Sequence, residues 1–206
     1  MATVIVAVLL VVAAFVATYV LLARGSLTVD LGVGRSLHPL GPMTVRIQAP
    51  RELVFEVISA PYLRTPPAEL RGKIQVLERG EGLVLASHRT KVRGFTTVTV
   101  ETVRFTPPER VDFRLLRGPV PYVVEHFMLH DVSGVATELE YGGELGADLW
   151  VLGRWWGRRV ARIWDRAVAT SLEGIRAAAE ERAGRGHDAP GAPSAGGFRN
   201  ETDRRA

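Results

Sequence analysis

With 206 residues, of which 47% are hydrophobic and 23% charged, the chain is long enough for one globular domain with short flanking segments. It contains no cysteine, which excludes disulfide bonds, thiolate catalysis and cysteine-ligated metals. The net charge of +4 is modest, and basic residues do not alternate with stacking aromatic residues on the predicted strands, so we expect no nucleic-acid partner.

The first 23 residues carry no charged side chain and are dominated by Val, Leu and Ala. As a helix they would span about 34 Å, enough to cross a hydrocarbon core of about 30 Å, so they predict a transmembrane anchor. A cleavable secretory signal ending near Ala23-Arg24-Gly25 is the alternative; against it, no basic residue precedes the apolar run. Arg24 and Arg35 follow the segment, which places the globular part on the cytoplasmic side by the positive-inside rule.

Residues 24–42 carry Gly, Ser and Pro and predict a tether. The chain beyond it alternates apolar and polar residues as strands do, apart from a short helix that begins near Pro50. Short turns join most of these strands, which predicts an antiparallel meander without crossover helices. The predicted strands cover residues 43–48, 73–79, 83–92, 95–105, 110–117, 122–130 and 135–142.

A long amphipathic helix is predicted from Asp148 to Arg182, because apolar residues recur there at steps of three, four or five. Asp148 is the expected N-cap, and Gly184 and Gly186 lie where the helix should end. The simplest fold is an α+β arrangement in which one antiparallel sheet wraps around this helix. The domain then covers residues 43–182, and residues 183–206, rich in Gly, Pro and charge, predict a disordered tail.

Three segments and their order carry a family resemblance. They are Ala49-Pro50-Arg51-Glu52-Leu53-Val54-Phe55-Glu56-Val57-Ile58, Phe105-Thr106-Pro107-Pro108-Glu109-Arg110-Val111 and Ser133-Gly134-Val135-Ala136-Thr137-Glu138-Leu139-Glu140-Tyr141, followed by the long helix. This order resembles the START-like superfamily, also called SRPBCC, in its polyketide cyclase/dehydrase and lipid-transport branch. The resemblance implies a helix-grip fold, in which a curved seven-stranded sheet grips the long helix around an apolar cavity. It implies no cofactor and no shared catalytic residues.

A cavity between sheet and helix would bind a hydrophobic small molecule or lipid, and both elements would line it. A shift of one residue in strand register would move every inward-facing side chain of that strand to the outer face. Along residues 122–130 it would decide whether Glu125 or His126 faces the interior. A fully packed core without a ligand is the alternative. The predicted lining residues are Leu149, Leu152, Trp156, Val160 and Ile163 on the helix, and Phe113, Leu115, Phe127, Leu139 and Tyr141 on the strands.

His88 and Glu101 are the candidate polar groups of this cavity, and with Tyr141 they would support an alternative function as a polyketide cyclase-like or dehydratase enzyme. For Glu101 we expect a solvated edge position; facing inward instead, it would have a raised pKa unless an arginine such as Arg89 or Arg93 compensated. His126 and His130 would stand about 13 Å apart on a strand, so we predict no metal site.

Four arginines follow one another at i, i+4 spacing on the predicted helix, and three tryptophans flank them. The arginines are Arg154, Arg158, Arg162 and Arg166, and the tryptophans are Trp150, Trp155 and Trp164. Arginines on anionic head groups and tryptophans at the interface would form a membrane-facing surface. The alternative is a solvated helix face whose arginines pair with acidic residues on the sheet. The sequence indicates no particular protein partner.

Overall fold

The computed structural model describes residues 1–66, 72–92 and 94–187. Arg93 lies outside these residues, as does the part of the predicted tail (residues 183–206) that follows residue 187. The elements are α1 (Ala2–Ala23), β1 (Ser36–Ile47), α2 (Arg51–Ser59), a 3₁₀ turn (Ala60–Tyr62), β2 (Ile74–Gly80), β3 (Leu83–Val92), β4 (Phe95–Thr106), β5 (Arg110–Arg117), β6 (Tyr122–Val132), β7 (Ala136–Ala147) and α3 (Trp150–His187).

The seven strands form one curved antiparallel sheet in the order β1-β7-β6-β5-β4-β3-β2. Strands β2 to β7 are a meander of consecutive hairpins, as the short turns predict, and β1 closes the far side by pairing with β7. Helix α3 packs against β1, β7 and α2, so the sheet wraps around it without closing into a barrel. This is the helix-grip arrangement that the family resemblance implies.

Strand β1 begins at Ser36, earlier than the predicted Met43. Residues 36–40 pair with the end of β7, and the ladder shifts register between Leu40 and Met43. The Gly41-Pro42 step therefore marks an irregularity inside an edge strand, where proline is tolerated, and not the end of a tether.

The segment before β1 is attached to the domain through Asp148, which is not the N-cap of α3. The Asp148 carboxylate accepts hydrogen bonds from the backbone N–H groups of Leu31 and Gly32, at 2.7 and 2.8 Å, and from Arg35 Nε at 2.7 Å. These bonds explain why the predicted cap is wrong, because the carboxylate is already committed to residues 31–35. We call residues 25–35 the strap.

Helix α3 runs past Gly184 to His187, so the predicted end is also wrong. A glycine inside a helix costs only about 1 kcal/mol relative to alanine. The ion pair between Arg185 and Glu181, with an N···O distance of 3.1 Å at i, i+4 spacing, spans Gly184 and offsets part of that cost.

Helix α1 projects from the domain. None of its residues is buried, and it is long and apolar enough to cross a membrane. Its last turn is held by strand β4, where Thr97 Oγ1 donates to the Ala23 carbonyl oxygen at 2.7 Å and Val98 N–H donates to the Arg24 carbonyl oxygen at 2.9 Å.

Candidate functional site: an acid–base cluster between sheet and helix

Two glutamates face the interior of the domain. Glu101 lies on β4 and is 4% exposed, and Glu125 lies on β6 and is 8% exposed. Each alternates with buried neighbours on its strand, Glu101 with Thr99 and Val103, and Glu125 with Val123 and Phe127. Because strand side chains alternate between faces, both carboxyl groups must point toward α3. The solvated edge position considered for Glu101 is therefore wrong.

His88 links Glu101 to a buried phenol. Its Nδ1 lies 2.8 Å from Glu101 Oε2, and its Nε2 lies 3.2 Å from the hydroxyl of Tyr62 in the 3₁₀ turn. Burial by itself would lower the pKa of His88 and raise that of Glu101, but their mutual charge and hydrogen bond outweigh burial. The net result is a raised pKa for His88 and a lowered pKa for Glu101, so the pair favours its ionised form.

Glu125 is held by two donors from different elements. Its Oε2 accepts hydrogen bonds from the Tyr141 hydroxyl on β7 at 2.6 Å and from Trp164 Nε1 on α3 at 2.7 Å. Burial, followed by the negative charge of Glu101, raises the pKa of Glu125 to about 7, against the lowering effect of the two donors. This carboxyl group can therefore take up or release a proton near neutral pH.

The two halves form one electrostatic unit. The charges of Glu101 and Glu125 add to burial in raising the pKa of Tyr62 well above its ordinary value, and they also raise that of Tyr141. Each half therefore responds to the ionisation of the other. We call Tyr62, His88, Glu101, Glu125, Tyr141 and Trp164 the interior cluster.

A glycine permits the strand geometry below Glu125. Gly143 lies opposite Glu125 in the β6–β7 ladder. A Cβ atom at this position would collide with the Val124 carbonyl oxygen and approach the Glu125 Cα to 2.7 Å. The close approach of the two strands at this point thus depends on the absence of a side chain.

Aromatic rings surround the cluster. Phe127 packs between Phe113 and Tyr141, with ring centroids 5.5 and 5.7 Å apart, and Phe105 packs edge-on against Tyr62 at 5.4 Å. The cluster thus lies in an apolar environment, where hydrogen bonds and charges act more strongly than in water.

The predicted lining residues are mostly placed inside. Phe113, Leu115, Phe127, Leu139, Tyr141 and Val160 are buried, and Leu149, Trp156 and Ile163 are half-buried. Leu152 is 61% exposed, so its assignment to the interior is wrong. The reason is that α3 begins only at Trp150, and its exposed first turn carries Leu152 away from the core.

Other predicted residues take different positions. Trp164, expected at a membrane interface, instead donates to Glu125 inside the domain. Arg89 does not compensate Glu101, because its guanidinium group lies 3.5 Å from Gln75 Oε1 while His88 pairs with the carboxylate. His130 lies on the other face of β6, where it is 3.5 Å from Glu140. Within the described part of the chain no three His, Asp or Glu side chains are arranged to hold a metal ion.

The sequence carried signals for the two cluster residues that it did not assign to the interior. Glu125 occupies the same alternating set as Val123, Phe127 and Leu129, which is where an inward acid would stand. Trp164 continues an i, i+4 series from Val160 to Val168, a better fit to the buried helix face than to its flank.

Comparisons with known proteins agree with this architecture. An aromatase/cyclase from Streptomyces sp. R1128 is similar with a TM-score of 0.58 and 18% sequence identity, over 72% of this chain and 95% of that one. A protein of Thermus thermophilus matches with a TM-score of 0.55 and 16% identity, over 72% and 99%. Norcoclaurine synthase from Thalictrum flavum, in complex with dopamine and hydroxybenzaldehyde, matches with a TM-score of 0.52 and 12% identity, over 75% and 90%.

No family model and no curated protein matches the sequence. The structural similarity, at these identities, concerns the fold. The chain has a START-like, or SRPBCC-like, helix-grip fold. The interior cluster is a property of this chain's own residues.

Proposed function

We propose that the domain binds a hydrophobic small molecule or lipid that carries a carbonyl or hydroxyl group, in the interior between the sheet and α3, and that α1 anchors it to a membrane. The observation that carries this proposal is the interior cluster itself. Burial of an ionisable group costs several kcal/mol, so a core that only had to be packed would gain nothing from two buried glutamates and a histidine. A binding site needs a few polar groups in an apolar wall to orient its ligand.

A groove beside strand β2 supports access to the cluster. It is open, has a volume of about 820 Å³ and is lined in part by Pro61, Leu63 and Ile74. Pro61 and Leu63 flank Tyr62 in the chain, and Ile74 lies opposite His88 in the β2–β3 ladder. In our proposal a ligand enters the interior from this groove, past Tyr62 and His88, which adjoin the groove without lining it.

The similar solved structures support the ligand class. One is an aromatase/cyclase, and another was determined with dopamine and hydroxybenzaldehyde, which are aromatic molecules with phenol or aldehyde groups. The Glu125 carboxyl group and the Tyr62 phenol are suited to hydrogen bonds with such groups. For this chain the ligand class is therefore an apolar molecule with one or two polar atoms.

Mass spectrometry of the full chain purified in detergent tests the proposal, by native detection of the complex and by organic extraction of the bound molecule. Two neighbouring residues on β5 give a matched pair, since Leu115 is 5% exposed and faces inward while Leu116 is 56% exposed and faces outward. We expect Leu115→Trp to carry several-fold less ligand than the wild type, and Leu116→Trp to carry the same amount. Equal occupancy in both variants, or no bound molecule in the wild type, would contradict the proposal.

A second candidate is acid–base catalysis, favoured by the pKa of about 7 at Glu125 beside the His88–Glu101 pair. Removal of a proton from a carbon next to a carbonyl, with protonation of its oxygen, is the step that ring closure and dehydration share. A positioned acid or base contributes about 10²- to 10⁴-fold to such a step.

Deuterium uptake from D₂O at that carbon of the extracted ligand separates the two candidates. An enzyme would speed the replacement of this hydrogen by deuterium, and the rate would change with pH around a midpoint near 7. The Glu125→Gln variant would lose this pH dependence. Exchange by the wild type no faster than in buffer would restrict the function to binding.

A further inference from the structure

Helix α1 is attached to one end of the sheet, at the start of β4. At this end lie the starts of β1, β4 and β6 and the ends of β3, β5 and β7, as the pairs Ser36–Ala147, Tyr122–Gly146 and Val92–Phe95 show. We call it the anchor end. Helix α3 also begins here, immediately after β7.

The first turns of α3 lie beside the last turns of α1. The rings of Tyr19 and Trp156 meet edge to face with centroids 5.9 Å apart, and Arg159 lies 3.5 Å from the Tyr19 hydroxyl. A helix of 22 residues spans about 33 Å, close to the thickness of a hydrocarbon core of about 30 Å. If α1 crosses the bilayer, Tyr19 and Trp156 therefore lie near the boundary between hydrocarbon and head groups.

Large apolar side chains are exposed on these same turns of α3. On the first turns of α3 the exposed fraction is 59% for Trp150, 73% for Val151, 61% for Leu152 and 57% for Trp155. Other large apolar side chains are also exposed at the anchor end; they are Leu31, Val33, Leu37, Phe95 and Leu116. Large exposed apolar patches rimmed by polar residues mark interaction sites.

Positive charge accompanies these apolar residues. Arg154 and Arg158 alternate with them on α3, and Arg162 and Arg166 continue the row. Within the described residues none of the four pairs with an acidic side chain, and the nearby Asp165 accepts a hydrogen bond from the Gly41 N–H group. Arg166 lies about 18 Å beyond Arg154 along the helix axis, so the arginines nearest to α1 are the relevant ones.

We infer that the first turns of α3, from Trp150 to Arg158, dock on the anionic head-group region of the bilayer that α1 crosses. Tryptophan and aliphatic side chains enter the interface while arginines contact anionic phosphates. The surface that covers these turns is a lipid surface, because α1 would bring the bilayer next to them. The end of α1 lies directly beside the first turns of α3. This inference rests on the anchoring of α1 and fixes which end of the domain faces the membrane.

Because the chain has no cysteine, single-cysteine reporters test this inference in full-length protein, one copy per nanodisc. An environment-sensitive fluorophore at Leu152→Cys or Trp155→Cys should shift to the blue and be quenched by brominated phosphatidylcholine when phosphatidylglycerol is present. The matched reporter is Val135→Cys, which is 67% exposed in the β6–β7 turn at the opposite end and should stay solvent-like.

Charge is tested with neutral variants of equal net charge. Each basic residue near an anionic surface changes binding about fivefold, so Arg154→Gln with Arg158→Gln should lower the ratio of docked to undocked domain roughly 25-fold. Arg79→Gln with Arg104→Gln, two exposed arginines toward the opposite end, should leave it unchanged.

Equal fluorescence signals from Leu152→Cys and Val135→Cys would overturn the docking. Quenching of the same strength with and without phosphatidylglycerol would overturn the role of the arginines. A blue shift without bromine quenching that grows with protein concentration in detergent would replace the bilayer by a second copy of the chain. Ligand occupancy of Leu115→Trp, measured in detergent, is independent of all these results, so failure of the docking and failure of the proposed function are distinguishable.

Discussion

The substitution Glu125→Gln tests the buried carboxyl group in isolation. A glutamine oxygen can still accept the hydrogen bonds from the Tyr141 hydroxyl and the Trp164 indole, but it cannot ionise. The pKa of Glu125 rises from an ordinary value of 4.5 to about 7 in the folded chain. At about 1.4 kcal/mol per pH unit, ionisation of this buried group therefore destabilises the folded state by about 3 kcal/mol above neutral pH.

The sign follows from proton binding. Between pH 4.5 and about 7 the folded wild type holds a proton on Glu125 that the unfolded chain has released, so its stability falls as pH rises through this window. The variant lacks this decline. The difference in free energy of unfolding between Glu125→Gln and the wild type should thus grow from near zero at pH 4.5 to about 3 kcal/mol at pH 8.

Urea unfolding of the full chain in detergent, followed by tryptophan fluorescence across this pH range, measures the difference. Glu138→Gln is the matched control, because Glu138 is exposed on the neighbouring strand β7. Its effect on the free energy of unfolding should stay within about 0.5 kcal/mol. A Glu125→Gln difference that stays within about 0.5 kcal/mol throughout would refute the reasoning, since that is the size of an ordinary surface effect.

Three further substitutions test the supports of the site. Asp148→Asn should release the strap and lower the free energy of unfolding by about 2–3 kcal/mol at pH 7, as measured by urea unfolding. Hydrogen bonds from Arg35 hold the pKa of Asp148 below its ordinary 3.8. The difference between variant and wild type should therefore shrink as the pH falls below 3.8. Trp156→Ala should cost about 3 kcal/mol, through lost packing and the lost bond from its indole to the Pro119 carbonyl oxygen, and an unchanged melting temperature would exclude this role. Gly143→Ala should destabilise the chain by about 3 kcal/mol, whereas Gly174→Ala, in open space on α3, should be neutral or stabilising; equal melting temperatures would contradict the strand contact at Gly143.

The sequence was sufficient for strands β2 to β7 and their order because alternation and turns are local signals, whereas the early start of β1 and its pairing with β7 depend on long-range contacts. The segments Leu83–Val92 and Arg110–Arg117 have the predicted bounds, and the meander follows from the short turns between them. The ends of elements were less predictable where a long-range contact decides them. Asp148 has the chemistry of an N-cap, but Leu31, Gly32 and Arg35 of the strap donate hydrogen bonds to its carboxylate.

The interior cluster was only partly predictable. His88 and Glu101 were recognised as candidate polar groups, yet their pairing depends on the β3–β4 register, which a sequence pattern leaves open to a slip of one residue. Glu125 and Trp164 lie 39 positions apart in the chain and meet because α3 crosses the sheet. No local pattern contains that contact, and so the second half of the cluster required the structure.

The most direct test of the account is the ionisation of Glu125 with and without ligand. Carbon-13 labelling of glutamate side chains, with the Glu125→Gln variant to assign the signal, allows the carboxyl group to be titrated by NMR in full-length protein. We predict a midpoint near pH 7 that moves when the molecule extracted from the purified protein is added back. A midpoint near the ordinary 4.5, or one that the added molecule leaves unchanged, would contradict a ligand site built around this cluster.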